Sequence, residues 1–113
     1  MHEMSLCEGV LRILQKQAEL QDFSRVKTVR LEMGEMSCAE PESMLMCFEA
    51  VTRNTLAEDA KLEIIRTPGQ AWCSDCSKTV PVRQRYDPCP ECGASHVQVT
   101  GGDALRVKEL EVD

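Results

Sequence analysis

Four cysteines in the second half of the chain have the spacing of a metal site. Cys73 and Cys76 form one Cys-x2-Cys pair, and Cys89 and Cys92 form a second pair after twelve intervening residues. Two thiolates three residues apart in a tight turn reach the same ion, and a second turn completes a tetrahedron. Sulfur ligands select Zn²⁺ over hard cations. Because four thiolates fill all four positions, the pattern predicts structural rather than catalytic zinc.

Residues 70–97, which carry these cysteines, differ in composition from the rest of the chain. They contain three prolines, Pro81, Pro88 and Pro90, and few large apolar residues. So short a stretch cannot bury much of a core of its own. Zinc contributes roughly 10–16 kcal/mol to the folding of comparable peptides. We therefore predict that this segment is a zinc ribbon.

Two other functions for the cysteine segment are weaker. Trp72, Cys73 and Cys76 superficially resemble a thioredoxin-type WCxxC motif, which needs a helix after its first cysteine. Here Pro81 interrupts early and a second cysteine pair follows. Nucleic-acid binding is also disfavoured, because between Cys73 and Cys92 three basic residues are balanced by three acidic ones, and four thiolates on Zn²⁺ leave the segment negative.

The second candidate site is the N-terminus, where His2 follows Met1. The Met1 amine, the backbone nitrogen of His2 and its ring Nδ1 can close two adjacent chelate rings on one ion. Near-planar nitrogen donor sets of this kind suit Ni(II) or Cu(II) better than zinc. Glu3 can add a carboxylate or its backbone nitrogen. Met1 should be retained, because its removal generally requires a small second residue, and a chain end is exposed and mobile enough to exchange a metal.

The other cysteines and the second histidine have plainer interpretations. Cys7 and Cys47 lie on the apolar stripes of two predicted helices, which indicates small buried side chains. Cys38 precedes the second helix and could be exposed, with nothing nearby to activate it. His96 follows the second cysteine pair, and a surface side chain is favoured over a second metal ligand.

The periodicity of apolar residues predicts an α+β fold. We expect helices over residues 5–20, with Ser5 and Glu8 as a capping box, and from about Pro41 to Asn54. Strands are predicted over 26–33, 61–67 and 104–112, the last with a bulge. The two helices should pack on one face of a three-stranded sheet. We place the first part of this domain at 1–69, the zinc ribbon at 70–97 and a returning strand at 98–113.

Composition limits the classes of partner. The chain has 113 residues, a net charge of −6 and only 4% aromatic residues, which disfavours binding to nucleic acid. The longest apolar run is five residues, too short to cross a membrane. Seven cysteines cannot all pair internally. With no visible signal peptide, we expect a cytoplasmic protein with reduced thiols.

The order of motifs resembles the HypA/HybF family of hydrogenase maturation proteins. The resemblance rests on Met1-His2-Glu3-Met4-Ser5-Leu6, on Leu31-Glu32-Met33-Gly34, on the two cysteine pairs and on the closing strand, and so covers nearly the whole chain. It implies a nickel-binding domain with an inserted zinc ribbon, and delivery of nickel to the precursor of the [NiFe]-hydrogenase large subunit with a GTPase partner of the HypB type. By position, His2 would be the essential nickel ligand, Glu3 and the Met1 amine would adjoin it, and the four cysteines would hold zinc.

Three functions follow from the sequence. The first is a nickel metallochaperone, which is not an enzyme. The second is a zinc-ribbon interaction module that does not transfer nickel, and the third is a dithiol redox protein. A homodimer formed by strand exchange near Gly101 and Gly102 is left open, as are the hydrogenase isoenzyme served and a role in urease maturation.

Overall fold

The computed structural model describes residues 2–37 and 39–113, apart from the side chain of His2. The predictions for the Met1 amine, the His2 ring and Cys38 lie outside the described residues. The elements follow the chain as helix α1 (His2–Gln21), strand β1 (Val26–Gly34), helix α2 (Pro41–Val51) and strands β2 (Lys61–Thr67), β3 (Gly69–Cys73), β4 (Lys78–Val82), β5 (Val97–Gly101) and β6 (Leu105–Val112).

The predicted α+β architecture is confirmed, with one sheet more than expected. Strands β2, β1 and β6 form a three-stranded sheet in that order, and β4, β3 and β5 form a second one. The chain divides into two compact units, of which the first comprises residues 1–31, 39–64 and 107–113, and the second comprises 32–38 and 65–106. The three-part division made from the sequence stays a prediction.

In the first unit, the apolar faces of the helices and of β1 form the core. Leu14, Met44, Val29 and Leu31 are fully buried. Arg30, between the two buried residues of β1, lies on the opposite face of the strand and forms ion pairs there with Glu63, Glu109 and Glu111. This alternation is the period of two expected for a sheet with one face covered.

The ends of the helices differ from the prediction. Helix α1 begins at His2, so Ser5 lies inside the helix and the capping box with Glu8 is wrong. Pro41 stands in the first turn of α2 as expected, after Glu40 as N-cap. Helix α2 ends at Val51 rather than near Asn54, because Thr52 caps its last turn and Asn54 has a left-handed φ of 61°.

The second unit has a small core around the unpredicted sheet. Strand β3 is central and pairs antiparallel with β4, from Gly69 opposite Val82 to Cys73 opposite Lys78, and with β5 on its other side. Alternate residues of these strands are buried together with Met36 and one cysteine of the second pair, and the cluster comprises Met36, Ala71, Cys73, Val80, Val82 and Cys89.

Close backbone packing in the second unit requires glycine at positions 34 and 102. A Cβ on Gly34 would overlap the carbonyl of Gly102, and a Cβ on Gly102, whose φ is +80°, would overlap the carbonyl of Pro68. The neighbouring atoms are backbone and cannot move aside as a side chain could. Gly34 also donates its N–H to the Ala104 carbonyl at 2.9 Å, which fixes it in place.

We expect Gly34→Ala to lower the free energy of unfolding by about 1–3 kcal/mol, the usual cost of overpacking. The matched control is Gly9→Ala, since nothing lies within 4 Å of a Cβ at that helical position. Alanine there should raise stability by about 0.5–1 kcal/mol. Urea denaturation of the zinc-loaded variants measures both changes, and equal effects at the two positions would contradict the packing described here.

Candidate metal centre

The four cysteine sulfurs predicted to bind zinc converge in the second unit. Their Sγ atoms all lie within 4.8 Å of one another. The Cys73–Cys92 separation is 3.6 Å and the Cys76–Cys89 separation is 3.8 Å. A zinc ion with Zn–S bonds of about 2.3 Å has tetrahedral S–S edges of about 3.8 Å. The donor set therefore fits a tetrahedral, all-thiolate ion.

Two similar turns hold the cysteine pairs. Cys73 is the last residue of β3 and Cys76 lies in the tight connection to β4, whereas Cys89 and Cys92 lie between β4 and β5. The residue after each pair has a left-handed backbone, with φ of 53° at Ser77 and 76° at Gly93. In the second turn, the Gly93 N–H donates to the Cys89 carbonyl at 2.8 Å. Glycine adopts such a φ readily, as at Gly93, but serine seldom does, so nothing in the sequence pointed to the turn at Ser77.

Backbone N–H groups stabilise the thiolate form of one cysteine, which is the form that binds a metal. The Glu91 N–H lies 3.4 Å from the Cys89 Sγ and donates to it. Hydrogen bonds from the backbone of Cys92 and of Glu91 lower the pKa of Cys89 to about 7. In contrast, a hydrogen bond with the Cys92 thiol, followed by burial, raises the pKa of Cys76 to about 12. Without an ion the cluster therefore retains protons, and a bound Zn²⁺ would release them.

Burial of the ligands points to a structural role for the metal. Cys73 and Cys89 are buried among the core residues of the unit, and Cys92 is exposed. Four sulfurs around one ion leave no position for a water or a substrate. The site can thus stabilise the second unit, in agreement with the zinc predicted from the sequence.

Of the three residues predicted to bind nickel, the structure describes the side chain of Glu3 alone. Its Oε2 accepts a hydrogen bond from the backbone N–H of Glu40 at 3.2 Å. Glu40 is the N-cap of α2, so the carboxylate lies at the positive end of that helix. The Glu3 side chain therefore contacts the start of α2. Because Glu3 and Glu40 are 37 residues apart, sequence spacing could not reveal this contact.

The remaining candidates have the plain roles predicted for them. Cys7 and Cys47 are buried, and the Cys7 thiol lies 3.5 Å from the Met44 carbonyl. Burial, followed by the nearby Cys47 and Glu3, raises the pKa of Cys7 to about 11, so this thiol stays protonated and unreactive. His96 is exposed. In the described residues, no helix is both long and apolar enough to span a bilayer.

Comparison with known proteins extends the resemblance noted in the sequence. The model of the family described as "Hydrogenase/urease nickel incorporation, metallochaperone, hypA" matches residues 1–112. The chain is 59% identical to hydrogenase maturation factor HypA of Rhodopseudomonas palustris (strain BisA53), and 58% identical to that of Azotobacter chroococcum mcd 1. Both alignments run over 113 residues and cover all of each chain.

Solved structures share the fold. The solution structure of the Ni metallochaperone HypA from Helicobacter pylori superposes with a TM-score of 0.74 at 24% identity, covering 97% of this chain and 96% of that one. A second solution structure, of a HypA protein, gives 0.73 at 26% identity, covering 99% and 96%. With its four-sulfur cluster and this agreement along its length, the chain belongs to the HypA family of nickel metallochaperones for hydrogenase maturation.

Proposed function

We propose that this protein binds Ni(II) at its N-terminus and delivers it to the precursor of the [NiFe]-hydrogenase large subunit. The observation that carries the proposal is the match of the family model to residues 1–112, which begins at the proposed site. The ligands would be the Met1 amine and His2, with Glu3 beside them. The protein would act as a carrier rather than as an enzyme, in the cytoplasm.

The start of α1 supports metal binding through backbone nitrogens. Because the helix begins at His2, the amides of His2 and Glu3 belong to its first turn. The first four N–H groups of an α-helix have no acceptor within the helix. After losing their protons to solvent, these nitrogens could therefore bind a metal without breaking a helical hydrogen bond, and the hydrogen bond from Glu40 to Glu3 would hold the base of the site still.

Transfer requires intermediate affinity. A dissociation constant of about 1 μM corresponds to about −8 kcal/mol, strong enough to carry the ion and weak enough to release it. A site made of nitrogens favours copper over nickel, so selectivity would come from geometry, metal supply and the docked partner. Release would follow when the acceptor presents cysteine thiolates to the ion. Four-thiolate zinc takes no part in this exchange, because its coordination sphere is full.

The proposed partners are the large-subunit precursor and a GTPase of the HypB type; binding to nucleic acid or to a membrane is not proposed. The net charge of −6 opposes contacts with phosphates. A homodimer is compatible with the proposal but is not required by it.

The test is transfer of radioactive nickel from the loaded protein to purified metal-free precursor. Protein that begins at Met1 should transfer nickel in near-stoichiometric amount, whereas protein with a Gly-Ser extension before Met1 should bind nickel at least about tenfold more weakly, because the extension converts the amine into an amide. Zinc content should be the same in both. Equal titrations would exclude the amine as a ligand, and binding without transfer would favour an interaction module over a metallochaperone.

A further inference from the structure

Strand β6 is an unpaired edge of the first sheet. It borders β1 on one side, and no described strand borders its other side. An edge strand presents alternate backbone N–H and C=O groups that can pair with another chain. Eight residues, Leu105–Val112, make this edge long enough to accept a segment of comparable length.

A groove lined by both apolar and polar side chains runs beside the part of this edge that lies in the first unit. It has a volume of about 300 Å³ and lies between α1 and β6. Two apolar side chains of its lining remain accessible, with Ile13 46% and Val112 40% exposed. Its apolar lining comes from Ile13, Phe23, Val107, Leu110 and Val112, and its polar lining from Gln17, Gln21, Lys108 and Glu109.

The dimensions of the layers explain why the groove exists. Three strands about 4.8 Å apart make a sheet about 14 Å wide. Two helices packed side by side, each about 10 Å across, cover about 20 Å. The helix layer is therefore wider than the sheet by about the width of one strand. A fourth strand beside β6 would lie under the exposed side chains of α1.

The outer face of the sheet next to β6 is acidic. Glu109 and Glu111 approach the Arg30 guanidinium at 3.8 and 2.6 Å, and Glu63 approaches it at 3.2 Å. Lys61 adds one further cation, 3.6 Å from Glu63. Lys27 is a third cation near Glu111 and lies 3.9 Å from Asp113. Four carboxylates thus share three cations, which leaves one negative charge, and the chain as a whole carries −6. An incoming strand would meet two glutamates on this face.

We propose that the β6 edge docks an extended segment of a partner protein in which apolar residues alternate with lysine or arginine. Side chains of a strand point alternately to its two faces. The apolar ones would fill the groove against Ile13 and Leu110, and the basic ones would lie beside Glu109 and Glu111. Main-chain hydrogen bonds would supply affinity, and the two faces would supply specificity.

A second copy of this chain fits the edge less well. If two β6 strands paired antiparallel about Leu110, Glu109 of each would stand opposite Glu111 of the other. Like charges directly opposite on neighbouring strands are destabilising. The chemistry of the edge therefore favours a basic segment over self-association, and the proposal does not depend on nickel.

The experiment is an NMR titration of the zinc-loaded, full-length protein with a heptapeptide of alternating valine and lysine. We expect the largest amide shifts in residues 107–112 and in the second half of α1. Ile13→Glu should weaken binding about tenfold or more by placing a carboxylate among the apolar side chains of the groove. Glu109→Lys should weaken it about threefold. Glu49→Lys, the same charge change on α2, should leave the affinity unchanged.

Four results would overturn the proposal. They are the absence of binding, equal binding of a valine–glutamate heptapeptide, shifts confined to other surfaces, and sedimentation showing a dimer that Ile13→Glu dissociates and the peptide does not disturb. Because Ile13 and Glu109 are both about half exposed, neither variant should impair folding. If Ile13→Glu nevertheless fails to fold, Glu109→Lys and its control decide the matter.

Discussion

Cys73→Ala should release zinc from the protein and unfold its second unit. Cys73 is fully buried, belongs to the small core around β3 and lies 3.6 Å from Cys92 in the four-sulfur cluster. The substitution therefore removes a metal ligand and leaves a hole in the core. Structural zinc contributes roughly 10–16 kcal/mol in comparable peptides, more than a core of this size can replace.

The only tryptophan provides the measurement. Trp72 precedes Cys73 in β3, is 42% exposed and reports on this unit. In Cys73→Ala, its emission should shift to that of the unfolded chain and the zinc content should fall from one ion per chain to near zero. Cys7→Ala is the matched control, since Cys7 is equally buried but lies in the first unit, and it should retain both zinc and native emission. A Cys73→Ala protein with one tightly bound zinc would refute the four-thiolate site.

His2→Ala should abolish stoichiometric nickel binding and leave zinc in place. In the proposed site, the imidazole closes one of two chelate rings, and its loss leaves an amine and amides that cannot hold nickel at micromolar affinity. We expect at least about a hundredfold weaker binding, or about 2.7 kcal/mol, in calorimetry. His96→Ala makes the same change at the second histidine, which is exposed, and should bind nickel as the unaltered protein does.

The same site predicts a dependence on pH. An imidazole with an ordinary pKa of about 6.5 takes up a proton below that pH and loses its metal-binding lone pair. Nickel affinity should therefore be full at pH 8 and fall as the pH drops through about 6.5. A constant affinity from pH 8 to 5 would exclude His2 as the dominant ligand, whatever the His2→Ala variant does.

The parts of the fold that depend on regular patterns could be predicted from the sequence. The helical stripes of Cys7 and Cys47 are buried as the apolar periodicity predicted, together with Leu14, Met44 and Phe48. The four-sulfur cluster also follows from local spacing, because each pair needs only one tight turn. Such features are encoded within a few residues and do not depend on distant contacts.

The second sheet could not be predicted because its strands are short and weakly patterned. Strand β3 has five residues and places small Ala71 at its centre, and β4 contains Pro81, which indicated a break. Proline lacks the N–H that a central strand would donate, but β4 is at the edge of its sheet, where that loss is tolerated. Tertiary contacts, including burial against Met36, define these strands.

The start of α1 was misplaced for a similar reason. Ser5 and Glu8 have the types of a capping box, yet the helix begins three residues earlier. The hydrogen bond from the Glu40 backbone to the Glu3 carboxylate joins residues 37 positions apart. It stabilises the first turn of α1 by a tertiary contact, which local helix propensity does not take into account. The backbone nitrogens of His2 and Glu3 thus belong to a helical turn rather than to an unstructured tail.

The close packing of backbone at glycines in the second unit also determines where the chain can accept insertions and deletions. Gly102 lies so close to Pro68 and Gly69 that the segment between them, residues 70–101, begins and ends at nearly the same point. Closing a loop whose ends already meet costs only about 0.6 kcal/mol more for each doubling of its length. Insertions and deletions in the turns between the strands of this segment should therefore be tolerated over evolution, provided that the four sulfurs, the buried core residues and the closely packed glycines are kept.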